Sequence, residues 1–315
     1  MSALTLLLLA LAALCAGFAL LYLVARRFDN YGIVDIAWSY AFGALAAFYA
    51  LGGPGWPVRR ALLAALAVGW SLRLGTHLAI RVIGHHPTED GRYVQLRKDW
   101  AANFVSKMFW FFQMQAASVV LLAAAFLLAS LNPSPVLHPL EYAGAALWLL
   151  ALSGEALADA QLAAFKKNSA NKGQVCAVGL WRYSRHPNYF FEWLVWVSFF
   201  VFALASPWGW LAIVGPASIL YLLLRVTGIP MTEEQSLRSR GDAYRRYQKT
   251  TSAFLPWFPQ TLPPTHPISI PSNISGPPSR PASAKTSPPP STPSFLSPIC
   301  PNVIVNCYRT EIKST

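Results

Sequence analysis

Seven stretches of this chain, near residues 3–25, 33–51, 61–83, 108–131, 140–165, 189–206 and 207–229, are apolar over roughly the length that crosses a bilayer. A helix needs about 20 such residues to span the hydrocarbon core. The expectation is an all-α integral membrane protein with about seven transmembrane helices. Composition agrees, because only 12% of the 315 residues are charged and 54% are hydrophobic, against roughly 25% charged in soluble domains. The first run lacks a basic leading segment and is longer than a signal-peptide core, so it reads as a membrane helix.

The net charge of +12 would suit a nucleic-acid partner, but no nucleic-acid motif accompanies it and the cations cluster by loop. Lys and Arg follow spans one, three, five and seven, whereas the loops after spans four and six have none. The positive-inside rule then puts those basic loops and the C-terminus in the cytoplasm and the N-terminus outside. Arg59 and Arg60, on the second loop, oppose that orientation. Cys15, Cys176, Cys300 and Cys307 form no CxxC pair, so neither a disulfide framework nor a metal site is expected.

Two regions follow from the change in composition. Residues 1–258 form the multi-span body, with its motif-rich part over 140–258. Residues 259–315 are rich in Pro and Ser and lose apolar periodicity, the signature of a disordered tail. Between them, Glu233 to Lys249 reads as a cytoplasmic amphipathic segment with a basic face.

Three groups of residues carry chemistry in places where charge is costly. The stretch "GLWRYSRHPNYFFEW" brings Arg182, Arg185, His186, Asn188 and Glu192 to the mouth of span six. Its arginines suit bidentate contacts to phosphate or carboxylate, and Asn188 offers both a donor and an acceptor. Stop-transfer charge would explain the arginines but not Glu192. Glu155 and Asp159, four apart in span five, share a helix face. They need cations opposite, and the arginines of the following loop are the candidates; a purely structural ion-pair network is the alternative. Arg73, His77 and Arg81 recur every four residues along span three as a stripe that faces protein. Asp35 opens span two, and "TEDGRYVQLRKDW" adds Glu89, Asp90, Arg92, Tyr93 and Arg97. Asp35 as an interfacial cap and His77 as a packed core group are the plain alternatives.

"GLWRYSRHPNYFFEW", with "GEALADAQL" before it and "RVTGIPMTEEQSLRSRGDAYRRYQ" after it, resembles the steroid 5-alpha-reductase family over roughly residues 30–258. It is more similar still to the bacterial branch described as a domain of unknown function. The resemblance implies seven membrane helices around a cytoplasmic-facing pocket for NADPH. It puts Asp159, Tyr183, Asn188, Glu192, Tyr244 and Tyr247 at cofactor-binding positions. Lys166 stands where the reductases carry arginine, and Phe191 replaces the usual glycine before the glutamate. Arg182, Arg185, His186, Tyr189 and Glu234 complete the expected cofactor-binding set. Asp35, His77 and Tyr93 stand in for the catalytic pair, which the motifs do not place.

"SRHPNY" and "EEQSL" also resemble the isoprenylcysteine carboxyl methyltransferase family, through Arg185, His186, Pro187, Tyr189, Glu233 and Glu234. That family shares the fold but uses S-adenosylmethionine, and fold alone does not choose the chemistry. Asp159 and Asn188 favour the reductase. The expected activity is NADPH-dependent reduction of a C=C bond conjugated to a carbonyl in a lipid-soluble substrate taken from the membrane. A proton-coupled transporter or lipid-binding scaffold is the non-catalytic alternative. Against a transporter stands the lack of an inverted repeat.

Overall fold

The structure, a computed structural model, describes residues 1–84 and 88–260. The tail expected over 259–315 therefore lies, from residue 261 onward, outside the described residues. The described residues form eleven α-helices. The first three are α1 (Ala3–Phe28), α2 (Ile33–Gly52) and α3 (Pro57–Gly84). A short α4 (Gly91–Asp99) precedes α5 (Phe104–Leu122) and α6 (Ala124–Ser130), and the long α7 (Pro139–Lys167) follows. Then come α8 (Pro187–Ala203), α9 (Val214–Tyr221), α10 (Ile229–Arg240) and α11 (Asp242–Thr250).

Among the described residues, six helical stretches are long and apolar enough to cross a membrane: Ala3–Phe28, Ile33–Gly52, Pro57–Gly84, Ala101–Leu122, Pro139–Lys167 and Gly209–Arg240. A multi-pass membrane protein is what such a set builds. The sixth run of the sequence, α8, has 17 residues, or about 25 Å of rise, short of the roughly 30 Å core. Two expected spans are less regular than their apolarity implied. The fourth breaks at Ala123 between α5 and α6. The last begins as a 3-10 turn (Gly209–Ile213) and ends as a π turn (Leu222–Val226). The expected single segment Glu233–Lys249 is likewise two helices, parted at Gly241, whose φ of +52° suits a residue without Cβ.

Two ion pairs fix how the long helices lie. Arg59 pairs with Glu141 and Arg73 with Glu155, the same offset of 82 residues each time. A constant offset means that α3 and α7 run parallel. The two pairs are 14 residues apart, about 21 Å along each axis. Arg59 and Glu141 are buried to 1% and 0% exposure. The Arg59 guanidinium also donates to the carbonyls of Asn132, Ser134 and Val136 at 3.0, 2.7 and 2.7 Å. Glu141 in turn accepts from the His138 N–H at 2.7 Å in a capping box that starts α7. Arg60 donates to the carbonyls of Ala50 and Gly53. Of the two arginines that opposed the orientation rule, Arg59 is thus neutralised by a carboxylate.

Helix α8 packs antiparallel against α7, and small residues let them approach. A Cβ on Gly144 would lie 2.8 Å from the Phe202 nitrogen, and one on Gly154 would lie 2.3 Å from the Phe191 ring. Phe191, the residue that departs from the reductase pattern, is accommodated by a glycine on the facing helix. Gly154→Ala is expected to destabilise by about 1–3 kcal/mol through overpacking. In Gly154→Ala/Phe191→Leu the loss should be less than the sum of the two single losses, read as melting temperatures in detergent. Strict additivity would show that the two positions do not touch.

Candidate functional site

The first polar cluster joins α2 to α4. Asp35 and Tyr93 are both fully buried, and the Tyr93 hydroxyl donates to Asp35 Oδ1 at 2.9 Å. Arg92 Nη2 binds the other oxygen of Asp35 at 2.7 Å and its Nε meets Asp90 at 3.1 Å. Arg81 on α3 reaches Asp90 at 3.6 Å. Burial, helped by the Asp35 carboxylate, pushes the Tyr93 hydroxyl well above its ordinary value. It therefore stays protonated at neutral pH and remains a donor.

Asp90 is what sets α4 in place. Its carboxylate caps the helix by accepting from the Arg92 N–H at 2.9 Å. Burial would raise its pKa, but the Arg92 guanidinium outweighs burial and holds the carboxyl below the usual aspartate value of 3.8. A depressed folded pKa means that this stabilisation is complete above the unfolded value and lost as pH falls through the folded one. Asp90→Ala is expected to lower stability at pH 7 by about 0.5–2 kcal/mol. The difference from the parent protein should shrink below about pH 4, read from melting curves across pH 2.5–7. A difference independent of pH would refute the ion-pair contribution.

The second cluster lies between α3, α7 and α8. Arg73 pairs with Glu155 at 2.7 Å and with Asp159 at 2.8 Å. Asn188 Nδ2 meets Asp159 Oδ1 at 3.4 Å, joining two positions 29 residues apart in sequence. Glu192 is buried and accepts from Trp70 Nε1 at 3.0 Å and from Trp196 Nε1 at 3.1 Å. Phe42 packs against both indoles. The cation opposite Glu155 and Asp159 is therefore Arg73, not the loop arginines expected there. The reason is reach: α3 runs alongside α7, whereas Arg185 is engaged elsewhere and Arg182 is exposed. Arg73 thus pairs with two carboxylates, and the third, Glu192, is held by two indole N–H groups instead.

The third cluster binds the motif to the C-terminal helices. Arg185 Nε meets Glu233 at 2.6 Å, and its Nη1 donates to the carbonyls of Gln248 and Thr251 at 2.9 and 2.5 Å. His186 Nε2 lies 3.3 Å from the same Glu233 oxygen. Burial lowers the His186 pKa, so the neutral ring holds its proton on Nε2 to donate there. Its ring stacks on Tyr189, whose hydroxyl is 3.0 Å from Thr232 Oγ1. Tyr247 donates to the Trp181 carbonyl, and Tyr244 packs edge-on to it.

The remaining expected residues lie at the periphery. Lys166, Arg182 and Tyr183 are exposed, and Glu234 forms a surface pair with Arg238 at 2.5 Å. His77 is exposed, although the stripe it belongs to was expected to face protein. The long Arg73 and Arg81 side chains reach back to carboxylates, which the short imidazole does not. Asp35 is thereby joined to Tyr93 and not to His77. Trp70 and Trp196 were missed by sequence reasoning. Each lies one turn from a charged residue, Trp70 before Arg73 and Trp196 after Glu192, and that spacing was the available signal.

A family model described as "Protein of unknown function (DUF1295)" matches residues 21–251. The chain belongs to that family. No curated protein and no solved structure matches it.

Proposed function

We propose that this protein is a membrane-embedded reductase that uses NADPH to saturate a C=C bond conjugated to a carbonyl in a lipid-soluble substrate. The observation that carries the reading is the Asp159–Asn188 contact across α7 and α8, which joins two positions that the reductase resemblance assigns to the cofactor. The residues present fit that group. Asp159, the most exposed carboxylate of the cluster, suits a ribose hydroxyl, while Glu155 and Glu192 are buried behind it. Lys166 lies seven residues beyond Asp159 on α7, about 10 Å along the axis, where cations suit phosphates. Arg240 is tied to the adjoining loop through the Gln174 carbonyl at 3.0 Å.

When bound, NADPH would supply a hydride to the β-carbon of the enone, and the resulting enolate would take up a proton from solvent at its α-carbon. The chain's part is to orient the substrate and to stabilise the oxygen on which negative charge gathers. We assign that role to Tyr93, whose hydroxyl is held by Asp35, itself paired with Arg92. In this reading the chain crosses the membrane seven times, α8 being the shortest crossing, with the N-terminus outside. Neutralisation of Arg59 by Glu141 removes one of the two charges that opposed this orientation.

One observation favours a second reading. Arg185 and His186 both contact Glu233, joining the two motifs shared with the isoprenylcysteine methyltransferases. Cofactor binding to the purified protein separates the two, because a ligand that binds only the folded state raises the melting temperature. NADPH alone is expected to do so, and Asp159→Ala to abolish the shift. A shift with S-adenosylmethionine alone would replace the reductase by the methyltransferase.

A further inference from the structure

We infer that the outward face of α11 is a binding site for the headgroup of an anionic phospholipid. The inward face of this helix is fixed. Tyr244 and Tyr247 are buried, Tyr247 donates to the Trp181 and Ser184 carbonyls, and the Gln248 carbonyl accepts from Arg185. The opposite face is consequently held in one orientation, with Arg245, Arg246 and Lys249 exposed. Together with Asp242 and Gln248 they line a shallow open cleft. Asp242 is the one carboxylate among them and pairs with Arg245 at 3.1 Å, both well exposed, where such a pair holds a cation weakly.

Exposed apolar groups follow α11 directly in the chain. The Gln260 N–H donates to the Thr250 carbonyl at 2.8 Å and the Trp257 N–H to the Tyr183 carbonyl at 2.9 Å. The first bond ties residue 260 back to the last residue of α11, and the second ties Trp257 to the loop before α8, so the segment after α11 is held in one course. Trp257 is 70% and Phe258 78% exposed, and Leu255 is exposed beside them. Cations next to exposed aromatic and aliphatic side chains are what a membrane interface selects, the first for anionic headgroups and the second for the acyl boundary. Position agrees: α11 is clamped to Arg185 and Trp181, just before Pro187 where α8 begins. A soluble phosphate would use the cations alone and leave the apolar trio without a role.

The test is native mass spectrometry of the full chain in detergent, with equal phosphatidylglycerol and phosphatidylcholine added. Phosphatidylglycerol is expected to be retained at least threefold over phosphatidylcholine, and R245E/R246E/K249E to bring the ratio close to one. R26E/R27E/K107E makes the same change in net charge at other exposed sites and should keep most of the preference. R245K/R246K should keep it as well. Equal loss in both charge-reversal variants would reduce the effect to overall charge and overturn the site. So would retention unchanged by reversal on α11. Loss of the preference on adding millimolar glycerol phosphate would make a free phosphate the ligand and overturn the lipid. None of these outcomes depends on which cofactor the protein uses.

Discussion

Arg59→Met is expected to destabilise the fold by about 3–5 kcal/mol, the cost of removing one partner from a buried ion pair. Glu141 would be left fully buried without its cation, and the carbonyls of Asn132, Ser134 and Val136 would lose their shared donor. Glu141→Leu alone should cost as much, because it strands the guanidinium instead. The double variant Arg59→Met/Glu141→Leu should recover a large part of the loss, since neither charge is then buried alone. Thermal denaturation of the four proteins in one detergent measures the coupling. If the single and double losses simply add, Arg59 and Glu141 do not act as a pair.

Tyr93→Phe is expected to lower turnover of an enone lipid by about 10²–10³-fold, the usual cost of removing one donor from a developing oxyanion. NADPH affinity should be unchanged, because Tyr93 belongs to the α2–α4 cluster and not to the Asp159 cluster. A phenol has a single proton, and here Asp35 Oδ1 accepts it. In the proposed reaction the substrate oxygen would compete with Asp35 for that proton, which an enolate does far better than a ketone. This is the difference between transition state and ground state that accelerates a reaction. Tyr93 is fully buried, so in the proposed reaction the residues that cover it would have to part to admit substrate. A loss of less than threefold would remove Tyr93 from the reaction.

The membrane body was legible because each apolar run states its own length and needs no partner to be recognised. The breaks within runs were not, since Ala123, and Leu222–Val226 apart from Arg225, are as apolar as their neighbours and differ in backbone geometry. Charge stripes were legible within one helix, where a spacing of four puts residues on one face. Their partners were not, because which helix lies alongside which is a tertiary fact. Glu155 and Asp159 announced a need for cations, yet nothing local pointed to Arg73 rather than Arg185. Arg59 read as a topological signal because its partner is 82 residues away. Tyr93 stood in a polar loop with several equivalent neighbours, and only its position over Asp35 distinguishes it.

The constant offset between α3 and α7 also sets a timetable for assembly. Arg59 and Arg73 are synthesised 82 residues ahead of Glu141 and Glu155. At about 5–20 residues per second, each arginine waits roughly 4–16 s for its carboxylate. During that interval Arg59 and Arg73 lack the carboxylates they will pair with, and a helix so loaded has poor reason to leave the insertion machinery for lipid. The arrival of α7 would release both at once, because one parallel docking event closes both pairs. Helix α3 would then enter the bilayer together with α7, as a unit.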